Sequence, residues 1–358
     1  MSPMRLLSVA ALMLLAGCAS APRGPTPAEV QAAIEAKIPA RVDDRAGWAQ
    51  DIRVAFDAQG LPANVENICA TLAVLEQESG YVADPAVPNL GRIAREELER
   101  RANAKFIPDL ALDAALKVRS TDGRSYAERL AAVRTERELS LVFEDLVGRV
   151  PLGARLFEDW NPVQTGGPMQ VSIPFAEANA EGYPYPIAHS IRREVFTRRG
   201  GMYFGIKHLL DYETPYTRKV HRFADYNAGH YASRNAAFQN AVAVASGRTL
   251  ALDGDVLAPG APLDRPGETE AALRSIAFDL GMDARAIRNA LAEASRLEFN
   301  DSALFRRVFA LAEARGGKPL PRETIPGIRL ESPKITRELT TAWFATRVDG
   351  RYRECLRR

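Results

Sequence analysis

The chain has 358 residues, of which 46% are apolar and 26% charged. That is the make-up of an ordinary globular protein, long enough to bury a sizeable core. The 47 Lys and Arg against 45 Asp and Glu leave a formal net charge of +2. With no basic run interleaved with aromatics, this excludes the electrostatic footprint of a nucleic-acid binder, so no nucleic-acid partner is expected.

The first segment is informative. Met1 to Arg5 is a short basic start, and Leu6 to Leu15 is an apolar run too short for a permanent span. It ends in Leu15-Ala16-Gly17-Cys18, which resembles the lipobox of bacterial lipoproteins. The resemblance implies a signal peptide at 1–17 and lipidation (palmitate among the acyl chains) of Cys18 as the first mature residue. With Ala19-Ser20 following and no Asp at the second position, it implies the outer membrane, with the protein facing the periplasm. A multi-chain lipid anchor holds a protein to a membrane without a spanning helix. Cys69 and Cys355 remain. In an oxidising periplasm they are candidates for a bridge tying the distal end of the chain to the helix around Cys69. The alternative is that Cys69 is simply a small buried residue.

Residues 18–45 form the lipidated cysteine and a tether that leads into a helix at 28–37. A second helix is expected at 48–59, with Trp48, Ile52 and Phe56 as apolar contacts. The stretch from Val65 to Tyr81 follows. Ile68, Leu72, Leu75 and Ser79 recur at spacings of 4, 3 and 4, Pro62 precedes them and Gly80 stops them. An almost wholly apolar helix that carries Glu76 and Glu78 near its end is unusual, because charged groups are rarely buried without a partner or a use. On a helical wheel the two carboxylates lie about 200° apart, so periodicity does not choose between them.

Helical patterns continue at 92–104 and 126–147, and 151–167 is loop-like. Further helices are expected at 191–195, 202–212, 219–223 and 236–245. The alternation of Leu250 to Leu257 around Asp253-Gly254-Asp255 suggests a small hairpin or a plain turn. Helices then return at 268–280, 284–294, 302–315 and 334–348. The fold class is mainly α.

Three separated stretches carry the chemistry: Glu78-Ser79-Gly80-Tyr81, then Gly167-Pro168-Met169-Gln170, then Ala224-Asp225-Tyr226-Asn227-Ala228-Gly229. In this order they resemble the signature of soluble, lysozyme-like lytic transglycosylases: Glu-Ser at a helix end, Gly-Leu-Met-Gln, and Ala-Tyr-Asn-Ala-Gly. Gly201-Met202-Tyr203-Phe204 also resembles the family's Gly-x-x-Tyr helix. Two departures stand out. Pro168 and Asp225 replace the usual Leu and Ala, and 89 positions separate Glu78 from Gly167, so a helical insertion at about 90–160 must be looped out.

The resemblance implies a lysozyme-like catalytic domain at 46–248, with the insertion inside it and a C-terminal helical extension at 249–358. It implies cleavage of the MurNAc–GlcNAc bond of peptidoglycan glycan strands with a 1,6-anhydro product and no cofactor. It nominates Glu78 over Glu76 as general acid and then base. Ser79, Met169, Gln170, Tyr226 and Asn227 would line or position the substrate, and Tyr203, with Tyr183 and Tyr185, would offer stacking surfaces. The alternatives are a muramidase-type hydrolase on the same fold and a non-catalytic wall-binding lipoprotein. His189, His208, His221 and His230 show no metal-ligand spacing, so no metal is expected. Lys334, Arg337, Asp301 and Arg347 are taken as solvated surface.

Overall fold

The computed structural model describes residues 24–149, 161–330 and 338–358. The expected signal peptide and Cys18, together with Lys334 and Arg337, lie outside the described residues. The chain is mainly helical. Helix α1 (Pro27–Lys37) starts at a capping box between Thr26 and Glu29, and α2 (Arg45–Gln59) is capped by Asp44. Helix α3 (Val65–Glu78) starts where the Asn64 side chain accepts the Asn67 N–H. Every residue from Ile68 to Leu75 in it is buried.

Between α3 and the second motif, the described residues of the inserted unit form four helices: α4 (Leu90–Ala104), α5 (Asp109–Lys117), α6 (Tyr126–Ala132) and α7 (Glu136–Arg149). Their amphipathic faces bury Leu98, Leu112, Leu116, Leu130 and Phe143. At the centre Arg129 pairs with Asp145, which also accepts the Tyr126 hydroxyl at 3.1 Å. The unit closes back on its own entrance. Ala86 bridges Thr135, and the Thr135 hydroxyl donates to Asp84 at 3.0 Å. The first turn of α7 is thereby fixed beside the exit from α3.

A two-residue hairpin, β1 (Thr165–Gly166) with β2 (Val171–Ser172), carries the second motif in its turn. Then come α8 (Ile173–Ala178), α9 (Ile191–Val195), α10 (Arg198–Leu210) and α11 (Lys219–Ala228). Gly201 and Gly205 lie one turn apart on α10, and a Cβ there would meet Pro168 at 2.3 Å and Met169 at 2.6 Å. The bare stripe of α10 is what lets the motif-bearing turn sit on the helix. At Gly167 the positive φ of 70°, with the Val195 carbonyl 2.1 Å from a Cβ position, leaves room for glycine alone.

The second core is built by α12 (Ala232–Ser246), α13 (Glu268–Ser275), α14 (Ala277–Leu280), α15 (Ala284–Ala292), a 3₁₀ turn at Leu297–Asp301 and α16 (Ala303–Gly316). Phe238, Phe299, Phe305 and Phe309 pack together there. The buried Arg234 donates to the Ala294 and Arg296 carbonyls and to Asn300, stitching α12 to the turn that follows α15. Ala237, Phe238, Ala241 and Val242 of α12 face the second core.

The hairpin expected at 250–257 is absent. Gln239 donates to Asp253 at 2.8 Å and accepts the Gly254 N–H at 2.8 Å, so a side chain satisfies the backbone that a strand partner would have bonded. After the short pair β3 (Arg329–Leu330) and β4 (Leu339–Thr340), α17 (Thr341–Arg357) leaves the second core. It packs on α3 and α11, and Phe344, Ala345, Val348 and Cys355 join the first core. Cys69 and Cys355 are disulfide-bonded across α3 and α17, with Cα atoms 5.5 Å apart and 286 positions between them. The C-terminal third is thus two things: a second core, and a final helix that belongs to the first.

Candidate active site

Glu78 is the last residue of α3. Ser79 caps the helix and turns its hydroxyl back to the Leu75 carbonyl at 3.2 Å. Gly80 and Tyr81 then both take left-handed backbone conformations, so the chain leaves sharply and Glu78 is exposed to no following turn of helix. Tyr81 anchors that exit by packing edge-on against Trp48. The carboxyl is half-buried and has no hydrogen bond or ion pair among the described residues. Burial alone pushes it up to about 8. A desolvated carboxyl that stays protonated near neutral pH and keeps an opening to solvent is the equipment of a general acid.

Glu76 stands in contrast. Arg41 reaches it at 2.6 Å and Arg351 at 3.9 Å, so its charge is neutralised by cations from α17 and from the turn before α2. Of the two carboxylates near the end of α3, Glu78 is the one without an ion-pair partner among the described residues, and burial raises it.

The second and third motifs meet beside it. The Tyr226 hydroxyl donates to the Met169 carbonyl at 2.6 Å inside the protein. Its own ionisation is pushed well above the ordinary range by burial, and next by the charge of Glu78, which is near enough to act on it. Gln170 has a positive φ of 51°. Its side chain accepts the Thr165 hydroxyl at 3.2 Å and donates to Glu136 at 3.0 Å. Glu136 is 5% exposed and lies in the first turn of α7, so the inserted unit supplies a buried carboxylate to the second motif. Sequence reasoning did not single out Glu136. Its partner is 34 positions away, and nothing local distinguishes it from the charged residues around it.

Other expected residues take different places. Met169 has no exposed surface; it packs on Gly205 beneath the turn, so it supports the floor and does not line it. Tyr203 is 2% exposed. Its ring packs edge-on to Tyr183 and Phe204, which makes it a core residue and not a stacking platform for a sugar. Tyr183 is held too, its hydroxyl donating to Glu194 at 2.7 Å. Asn227 is exposed and accepts the Thr341 hydroxyl at 2.9 Å, so the start of α17 sets its side chain.

Asp225, the departure in the third motif, has a structural reason. It is fully buried and accepts the Tyr216 hydroxyl at 2.7 Å, the Ser233 N–H at 2.7 Å and the Tyr231 N–H at 3.0 Å. The carboxylate takes the orphan donors at the start of α12 and locks the turn between α11 and α12. Beside it His208, His230 and Tyr212 stack, with ring centroids 4.6 Å and 3.9 Å apart. Burial, then the neighbouring His230, lowers His208 to about 4, so its imidazole is neutral. Its Nε2 meets the Tyr226 carbonyl at 3.2 Å. Among the described residues no cluster of three or more His, Cys, Asp or Glu is arranged to hold a metal ion.

The model of the family described as Protein of unknown function (DUF1615) matches residues 41–358. The chain belongs to that family. Among its relatives is the "Uncharacterized protein YaiW" of Escherichia coli strain K12, 51% identical over 361 residues and covering 99% of each chain. No solved structure matches. The DUF1615 match runs from before α2 through α17, so the inserted helices, the second core and the returning helix all fall within the family's span, together with Glu78, Gln170 and Tyr226.

Proposed function

We propose that this protein is a peptidoglycan lytic transglycosylase with a lysozyme-like catalytic region, anchored to the outer membrane through lipidated Cys18. The observation that carries the reading is the unpaired carboxyl of Glu78, held at about 8 beside the Tyr226–Met169 hydrogen bond that joins the other two motifs.

Cleaving a glycosidic bond needs an acid to protonate the departing oxygen. Ordinary glycosidases add a second carboxylate as nucleophile or base, and substrate-assisted enzymes dispense with it. In this mechanism Glu78 gives its proton to the GlcNAc O4 as the bond to muramic C1 breaks. The N-acetyl oxygen of the muramic residue stabilises C1. Glu78, now a carboxylate, takes the proton of that residue's own 6-hydroxyl as O6 bonds to C1. The product is a 1,6-anhydro end, no water is consumed, and the acid is regenerated. Burial serves both halves, because it makes the proton available near neutral pH and the resulting carboxylate a strong base. Gln170 and Asn227 supply amide groups for the acetamido substituent, each fixed by a neighbour, Glu136 and Thr341 respectively.

Mass spectrometry of peptidoglycan digested with the oxidised protein tests the reading. The expected result is anhydro-muropeptides from the parent and none from a folded Glu78→Gln variant. Reducing ends in place of anhydro ends would assign hydrolysis to the same site. No products from either protein would leave a wall-binding lipoprotein. Radiolabelled palmitate incorporated by the parent and lost in Cys18→Ala checks the anchor.

A further inference from the structure

Just past Asn227 the surface opens into a cavity. Its volume is about 300 Å³, and it lies between the start of α12, the loop at 254–257 and the end of α15. That is the lower end of the size range of small-molecule sites, about 300–1,000 Å³. Its rim begins at Ala228 and Gly229 of the third motif. Two residues of backbone reach at most about 7 Å, so the cavity lies beside the Asn227 position and is built largely by the second core.

Its chemistry is one-sided. Leu257 and Leu291 provide apolar wall, and the polar lining is His230, Asn235, Asp255 and Ser295, with no Lys or Arg. Asn235 is already used, its amide donating to the Ala294 carbonyl and accepting from Arg234. Asp255 is exposed at the cavity mouth, its carboxylate has no hydrogen bond or ion pair among the described residues, and partial desolvation, then the charge of Asp253, raises it above the usual carboxylate range. His230 spends its Nε2 on the His208 carbonyl at 2.7 Å. That contact makes Nε2 the protonated nitrogen, and Nδ1 is left as an acceptor without a partner among the described residues. The cavity therefore offers acceptors and an unpaired anion, and no cation competes for them. A primary ammonium carries three donors on an apolar stem and answers that arrangement.

We propose that this cavity is a binding site for the primary ammonium of a short peptide, with Asp255 as its counter-ion and Leu257 and Leu291 against its alkyl stem. Identifying the peptide as the stem carried by the glycan strand rests on the transglycosylase reading; the ammonium assignment rests on the cavity alone.

Calorimetric titration of the full-length oxidised protein with two synthetic probes tests the site. One is a stem tetrapeptide with a free side-chain ammonium, and the other is the same peptide acetylated at that nitrogen. Acetylation should weaken binding by about tenfold, the size of one charge-assisted hydrogen bond, and Asp255→Asn should weaken the free-amine peptide equally. Ser295→Trp, which fills the cavity from an exposed position, should abolish binding while the circular dichroism spectrum is unchanged. Equal affinity for the two probes, undiminished affinity in Asp255→Asn, or no binding by the parent overturns the proposal. Glycan cleavage is read separately by product analysis. Anhydro products without peptide binding sink the cavity site alone. Peptide binding without anhydro products upholds it and sinks only the transglycosylase reading.

Discussion

Replacing Glu78 by Gln should stabilise the folded protein even as it abolishes turnover. The carboxyl ordinarily titrates at 4.5 and is held at about 8 by burial. The folded state keeps a proton that the unfolded chain releases, so the stability associated with this group is fully present below pH 4.5 and is lost as pH rises towards 8. Each pH unit inside that window is worth about 1.4 kcal/mol. The loss is then about 3 kcal/mol at pH 7 and about 5 kcal/mol above pH 8. Glutamine keeps the shape of the protonated carboxyl and never ionises, so the variant escapes the loss. Thermal unfolding of both oxidised proteins between pH 4.5 and 8.5 measures it. The melting temperatures should nearly coincide at pH 4.5, and the variant should lead by about 5 °C at pH 7, given an unfolding entropy of about 2.1 cal/mol/K per residue. Curves that run parallel across the whole range would refute burial as the cause of the protonation, and with it the case for Glu78 as the acid.

Three further outcomes follow from contacts described above. Glu136→Ala removes the acceptor for the Gln170 amide and should lower kcat/KM about tenfold or more, with Glu136→Gln restoring most of it; an unchanged rate in the alanine variant would remove the inserted unit from the site. Glu76→Gln breaks a partly exposed pair with Arg41 and should cost under about 1 kcal/mol while leaving most cleavage activity in the same product assay. Cys355→Ser opens a closure of 286 positions. Loop entropy limits the resulting loss to about 5.6 kcal/mol, about 2–5 kcal/mol is usual, and the melting temperature of the variant against the unreduced parent reads it.

Local features of the chain were legible in its sequence. Pro62 and Gly80 bracket α3, and the apolar spacing of Ile68, Leu72 and Leu75 marks its burial. The two cysteines left after Cys18 were candidates for each other, and they pair. What could not be read depends on partners far along the chain. Arg351 reaches Glu76 from α17, and Glu136 reaches Gln170 from the inserted unit. Neither has a periodic or compositional signal. Tyr203 misleads for a related reason: its ring lies on the side of α10 that Tyr183 covers. The alternation at 250–257 imitates a hairpin, but Gln239 supplies the hydrogen bonds locally. The break in helical pattern after α12 is local, whereas the phenylalanines packed on Phe238 that place this helix in the second core come from far along the chain.

The disulfide between α3 and α17 also imposes an order on assembly. Helix α3 is made early, yet one side of it stays bare until a segment nearly three hundred positions downstream arrives, so a nascent chain cannot yet shelter the helix that presents Glu78. Contacts of such long sequence separation form late, because the intervening chain must first be brought round. The packing of α3 against α17 is therefore among the last features the molecule acquires.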